Sequence, residues 1–379
     1  MLRYWTAGES HGKALLALVD GFPAGVTLDS ALIDADLRLR QGGYGRGGRQ
    51  RIETDSVDIL SGIWNGVSLG SPIALEVVNK DYKLERLGDL PSPRPGHGDL
   101  TGAMKYLGPI RGVLERASAR ETTVRVAAGA LAKQLLREFG IEALGYVVEL
   151  GGVRIDPPEA TLAEKRIARD ASEVYGLDPS KDAEIKTLID ETGKAGDTLG
   201  GIVEVRVEGL PFGLGTHAQW DLKLDGRIAQ AVMAVQAIKG VEIGLGFEAA
   251  RRRGSNVHDP IQFNAEQRES PNLGYVRPTN NAGGLEAGMT NGQPLIVRAA
   301  KKPISTLAKP LASVNLATKE AQAAAYERSD VCAVPAASII VENVVAFEVA
   351  RALVEKFGND SLQEMKARYE LFLKLAAER

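Results

Sequence analysis

Hydrophobic and polar residues alternate most cleanly in IVEVRVEG at 202–209, where Val203, Val205 and Val207 face one way and Glu204, Arg206 and Glu208 the other. Period two with one polar face predicts a strand of a sheet that is wet on one side. ALLALVD at 14–20, VDILSGI at 57–63, PIALEVV at 72–78 and PLIVRAA at 294–300 predict further strands. Helical spacing takes over at 29–40, 117–138, 225–239, 341–357 and 361–377, with Gly140 and Gly240 expected to stop the second and third. Ser361 and Glu364, just after the Gly358-Asn359-Asp360 break, are spaced as a capping box that would start the last helix.

Half-solvated strands mixed with long helices predict an α+β layered fold, because the strands of a doubly wound parallel sheet would be apolar on both faces. The polar, proline-punctuated stretch 155–198 reads as a surface excursion rather than a linker, so the 379 residues are expected to form one domain. A net charge of -3 argues against a globally basic nucleic-acid binder. Cys332 is the single cysteine, which excludes an internal disulfide framework. With no secretory or transit pattern in MLRYWTAGESHGK and no apolar run of membrane-spanning length, a cytoplasmic protein is expected. The four histidines show no i, i+4 pair, so no metal site is expected.

The 42 glycines gather in loops with charged residues, and these loops hold the candidate chemistry. GESHG at 8–12 fits the G-x-S-x-G pattern of a nucleophile elbow, but no earlier strand-loop precedes it to complete an oxyanion hole. RLRQGGYGRGGRQR at 38–51 contains G-x-G-x-x-G, yet it follows a helix and opens none, so it fails as a dinucleotide fingerprint. Its arginines suit a small ligand with several anionic groups, since the guanidinium fork matches phosphate and carboxylate; a solvated basic loop and an RNA-binding loop are the alternatives. PRPGHGD at 93–99 sets His97 beside Arg94 as a proton donor or polariser, or as an ordinary exposed histidine. In ERASARETTVR at 115–125, Arg116 and Arg120 lie one helical turn apart, either holding an anion or forming a salt-bridge ladder with Glu115 and Glu121. KPIST at 302–306 could cradle a phosphate, and Asp330 in YERSDVCAVP is either a salt-bridged carboxylate or a base.

Taken in order, these elements resemble the chorismate synthase family over essentially the whole chain: GESHGKALLALVDGFP (8–23), RQGGYGRGGR (40–49), RPGHGD (94–99), ERASARETT (115–123), QAIKGVEIG (236–244), GGLEAGMTNGQP (283–294), KPIST and RSDVCAVPA (328–336). The resemblance implies a helical layer between two antiparallel sheets. It also implies trans 1,4-elimination of phosphate from 5-enolpyruvylshikimate 3-phosphate to give chorismate, with reduced FMN required and no net redox change. A homotetramer fed with reduced flavin by an external reductase is implied as well.

By the same resemblance, Arg40, Arg46, Arg49, Arg94, Arg120 and Arg328 would surround the substrate's phosphate and carboxylates. His11 would protonate the departing phosphate and Ser10 would position it, His97 would stabilise the reduced ring, and Asp330 would relay the proton lost from the substrate's C6. FMN would contact Arg116, Ala117, Ser118, Gln236, Ala237, Ala287, Lys302, Pro303, Ile304, Ser305, Thr306 and Arg328. His258 is expected in a loop that closes over the site, and His217 in a structural place.

Overall fold

The structure is a computed structural model that describes residues 1–48, 52–327 and 329–379. Alternation sets its sheets. Gly201–Glu208 is a strand whose Val203, Val205 and Val207 are fully buried. It lies mid-sheet between Leu295–Lys301 and Glu142–Leu150, with Ile238–Ile243 and Val153–Arg154 at the edges, and every pairing is antiparallel. A second antiparallel sheet runs in the order Arg3–Ala7, Ala14–Asp20, Ile73–Val78, Asp58–Ile59. Its buried row is Leu15, Ala17 and Val19 beside Ile73, Leu75 and Val77. The 57–63 stretch is broken into Asp58–Ile59 and Ile63–Trp64, because Gly62 turns the chain between them at φ 84°.

The helices among the described residues are α1 (Ser30–Gln41), α2 (Asp99–Tyr106), α3 (Ile110–Ala117), α4 (Thr122–Arg137), α5 (Leu162–Ala171), α6 (Asp182–Lys194), α7 (Leu224–Met233), α8 (Val334–Phe357) and α9 (Leu362–Ala377). Helix α8 is apolar and buried almost all round, as a helix covered on every side must be. It packs against α4 and against Glu142–Leu150 and Gly201–Glu208, while α4 also touches Ala14–Asp20 and Ile73–Val78. Close approach needs Gly129: a Cβ there would sit 2.3 Å from the Asn343 carbonyl oxygen of α8.

Several boundaries differ from the sequence expectation. The helix expected over 117–138 is interrupted at Ser118, whose extended backbone (ψ 142°) ends α3 and whose hydroxyl caps the short turn before α4. The helix expected to 239 stops at Met233, because Ala237 adopts φ 69° and the chain becomes the strand Ile238–Ile243. Helix α8 starts seven residues earlier than 341, with Pro335 in its first turn, where a missing N–H costs nothing. At α9, Ser361 accepts the Glu364 N–H at 3.2 Å, but the Glu364 carboxylate turns to Arg368. The 155–198 stretch carries α5 and α6, anchored by buried Leu162, Ile185 and Ile189. It also backs the arginine loop, since the Glu173 carbonyl accepts the Tyr44 N–H at 2.7 Å.

Candidate active site

A cleft of about 730 Å³ opens where the loop after α1, the 93–99 loop, the α3–α4 junction, the end of Leu295–Lys301 and the start of α8 meet. That size lies within the roughly 300–1,000 Å³ of small-molecule sites. GESHG forms one rim. It is the loop of a hairpin between antiparallel strands Arg3–Ala7 and Ala14–Asp20, not the strand-to-helix turn that a nucleophile elbow requires. Ser10 donates its N–H to the Glu115 carbonyl at 3.0 Å, and its hydroxyl accepts from Ser118 at 3.1 Å. His11 donates its backbone N–H to the Glu115 carboxylate at 2.8 Å and holds the same carboxylate through Nδ1 at 3.0 Å. Its Nε2 lies 3.8 Å from Asp81. Burial would push the Glu115 carboxyl up, but the bonds from His11 and from Arg111 hold it below the usual carboxylate range.

The second imidazole is built the same way. His97 Nδ1 sits 2.5 Å from the fully buried Asp99, which also accepts from the Arg94 N–H, Nε and Nη2. Against the effect of burial, the bonds from His97 and Arg94 keep Asp99 ionised far below its ordinary range. The buried Arg94 reaches on to Thr306 Oγ1 at 2.9 Å, tying this loop to the 302–306 turn.

Arginines converge on the opposite wall. Asp55, buried, accepts from Arg40 Nη2 at 2.6 Å and from Arg120 Nη1 at 2.7 Å, so two guanidiniums share one carboxylate. Burial lowers Arg40 to about 10 despite Asp55. Arg46 lies 3.4 Å from Asp330, whose other oxygen accepts the Gly47 N–H at 2.6 Å. Glycine fixes this loop against α8: at Gly45, φ 89°, a Cβ would come within 2.9 Å of the Cys332 Cβ, and the Gly45 carbonyl accepts the Val331 N–H at 3.0 Å. Among the described residues Arg40 Nε and Arg46 Nε are buried N–H groups without a hydrogen-bond partner, and the buried Arg120 Nη2 lies 3.5 Å from the Glu53 carboxylate.

The structure therefore brings together Ser10, His11, Arg40, Arg46, Arg94, His97, Ala117, Ser118, Arg120, Gln236, Ala237, Lys302, Pro303, Ile304, Ser305, Thr306 and Asp330 along one cleft. Two of the expected residues lie apart from the cleft. Arg116 points away from the cleft, donating to the Gly8 and Thr6 carbonyls at 3.0 and 2.9 Å and to Thr6 Oγ1, because α3 ends one residue later and turns this position onto the first strand. Ala287 is exposed at the tip of the tight turn between Leu285–Glu286 and Met289–Asn291, and lies outside the cleft of this chain. Arg49 and Arg328 fall outside the described residues. His258 is exposed beside a separate, smaller cavity with Asp259 and Asn281, and His217 is exposed as well.

The salt-bridge ladder of the 115–125 segment does not form. Glu115 turns to His11, Glu121 to Arg125, and Arg120 to Asp55. Sequence reading paired Glu115 with arginines and not with His11, missed Asp99 and Asp55 as partners, and missed Lys301 altogether. For Lys301 a signal existed: it continues the inward row Leu295, Val297, Ala299 at period two.

Mixed helices and antiparallel sheets, with a cleft of arginines and carboxylate-held imidazoles, define an enzyme that handles a polyanionic small molecule. The chain belongs to the chorismate synthase family, whose sequence pattern matches residues 2–354. A chorismate synthase of Geotalea daltonii is 54% identical over 387 residues, covering 98% of either chain. One of Symbiobacterium thermophilum is 53% identical over 397 residues and is covered in full, as is this chain. A crystal structure of chorismate synthase matches with a TM-score of 0.82 at 42% identity, covering all of this chain and 99% of that one. The family is one of lyases that eliminate phosphate from 5-enolpyruvylshikimate 3-phosphate to give chorismate, the last common step toward the aromatic amino acids, and it uses reduced flavin. No helix among the described residues is long and apolar enough to cross a membrane.

Proposed function

We propose that this cleft binds 5-enolpyruvylshikimate 3-phosphate beside reduced FMN and carries out the elimination with His11, His97 and Asp330. The observation that carries the reading is the pairing of two imidazoles, each held through Nδ1 by a buried carboxylate, with buried Arg40 and Arg46 N–H groups that find no hydrogen-bond partner among the described residues. Such donors are costly unless an anionic ligand completes them. Arg40, Arg46, Arg94 and Arg120 supply the substrate's phosphate and carboxylates with partners, and Arg49 and Arg328 are assigned with them on family resemblance alone.

The opposite wall suits a flavin. Gln236 has a buried amide oxygen without a hydrogen-bond partner among the described residues, and Ala237, Ala117, Ser118 and the Lys302–Thr306 turn line the same cleft. Reduced flavin supplies the electron density that eases the C–O cleavage without net redox change. His11, its Nδ1 engaged by Glu115, presents Nε2 to the leaving phosphate and protonates it, lowering the cost of expelling a multiply charged group. Ser10 holds the turn that aims this ring. His97, fixed through Asp99, orients its Nε2 toward the cleft and offsets negative charge there. Asp330, held by Gly47 and Arg46, receives the proton that leaves C6.

The two sheets with α1, α4 and α8 are read as a helical layer between antiparallel sheets in one domain, supported by α8 packing on the larger sheet and α4 on the smaller. Assembly as a homotetramer is supported by apolar side chains left in water on the outer sheet face, Leu16, Leu18 and Val78 among them. An external source of reduced flavin and a cytoplasmic setting complete the reading.

His11→Ala and His97→Ala test the assignment. Turnover is expected to fall by about 10² or more in each, with FMN binding retained. Full activity in both variants would sink it.

A further inference from the structure

Lys301 sits where the inward face of a core strand runs into the cleft. The residues before it in that row, Leu295, Val297 and Ala299, are 0–1% exposed, and Lys301 itself is 8% exposed and lines the cleft floor. Its strand neighbours there are Gly201 and Ile238, neither of which can balance a charge. No carboxylate lies within ion-pair distance of its Nζ among the described residues, whereas the buried Lys133 has both Asp36 and Glu342. The bond recorded for the Lys301 ammonium is a long one, 3.4 Å to the Lys302 carbonyl. Among the described residues the charged and titratable groups that act on it are Arg46, Lys302, Asp330 and Cys332, a set with more positive than negative charge. The first turn of α8, Val334-Pro335-Ala336-Ala337, adds the positive end of a long helix and no acid.

A buried cation placed among cations, with no carboxylate to hold it, lacks only an anion. We propose that Lys301 is a ligand-binding residue of this site: its ammonium pairs with an anionic group of the bound molecules at the cleft floor. The inference rests on the reading of the cleft as the place where substrate and flavin bind. The anion is either a carboxylate or phosphate of the substrate or the negative charge of the reduced flavin ring, which are the same chemistry to an ammonium. Burial, aided by Arg46, lowers Lys301 to about 8, with Cys332 and Asp330 opposing. An anion alongside raises it again, so binding near pH 8 draws in about half a proton per site.

Calorimetric titration of the wild type, Lys301→Met and Lys301→Arg at pH 8, in buffers of different ionisation enthalpy, reads affinity and proton uptake together. The ligands are oxidised FMN, anaerobically reduced FMN, and 5-enolpyruvylshikimate 3-phosphate added to the oxidised-FMN complex. Lys301→Met is expected to lose affinity about tenfold or more and to lose the proton uptake. Loss confined to the substrate titration places the anion on the substrate, and loss confined to reduced against oxidised FMN places it on the ring. Lys301→Arg, which keeps the charge but does not titrate, should stay within about threefold of wild-type affinity while showing no uptake; it carries the test if the methionine variant does not fold. Wild-type affinity in Lys301→Met, or proton uptake persisting in Lys301→Arg, overturns the proposal. Wild-type protein that binds none of the ligands would instead overturn the cleft assignment itself.

Discussion

Glu115→Gln removes one negative charge and almost nothing else. In the structure the Glu115 carboxylate is buried, accepts the His11 N–H at 2.8 Å, meets His11 Nδ1 at 3.0 Å with both oxygens, and receives Arg111 at 3.4 Å. An amide of the same shape keeps one acceptor for His11 but withdraws the charge that strengthens the hydrogen bonds from its ring and its backbone N–H. Hydrogen bonds to charged groups contribute about 1.5–3 kcal/mol net. Asp81, 3.8 Å from Nε2, remains as a weaker counter-charge, so a loss near about 2 kcal/mol is expected for the protonated ring. That corresponds to a fall of roughly 30-fold in kcat/KM at neutral pH. Because the bond to Nδ1 fixes the ring, the deficit is expected in kcat, with FMN affinity unchanged. Steady-state rates under anaerobic conditions from pH 5.5 to 9, with FMN affinity measured alongside, provide the check. A loss confined to KM would mean that Glu115 acts on substrate binding and not through the His11 ring. An unchanged rate would remove His11 from proton transfer.

Arg46→Ala should raise KM for the substrate by a factor equivalent to about 2–5 kcal/mol with little change in the thermal midpoint, and unchanged kinetics would take the arginine loop out of the site. Acid stability follows from Asp99, Asp55 and Glu115, all held below their ordinary range when folded. A depressed carboxylate stabilises the fold above its unfolded value near about 4 and loses that contribution as pH falls through the folded value. Denaturant midpoints should hold from pH 7 to 5 and drop below 4, with a flatter fall in Asp99→Asn; an equal fall in that variant would contradict the linkage. Gly129→Ala forces α4 from α8, where its Cβ would lie 2.3 Å from the Asn343 oxygen, and should cost about 1–3 kcal/mol by chemical unfolding; a neutral result would mean that the crossing is looser than drawn.

Legibility in the sequence followed the range of the forces involved. Period-two alternation at 14–20, 72–78, 202–209 and 294–300 gave strands within a residue or so, because one buried face constrains every second position. Helix ends were harder. Ser118 breaks α3 from α4 through its backbone alone, and α8 runs back to Val334 because Pro335 is harmless in a first turn. The arginines and histidines of the cleft stood out as residue types, whereas their partners did not. Glu115 meets His11 across 104 residues and Asp55 meets Arg120 across 65, separations that no local pattern encodes. Arg116 shows the converse, since a motif position that looked ready for an anion is turned by one residue of helix onto the first strand.

The central claim is that this cleft eliminates phosphate from 5-enolpyruvylshikimate 3-phosphate with reduced flavin present and not consumed. Single-turnover mixing of the protein, that substrate and chemically reduced FMN without oxygen, with chorismate absorbance and phosphate followed together, tests it most directly. Chorismate and phosphate formed in equal amounts, with the flavin still reduced at the end, is the predicted result. Folded protein that binds FMN and substrate yet releases neither product would contradict it.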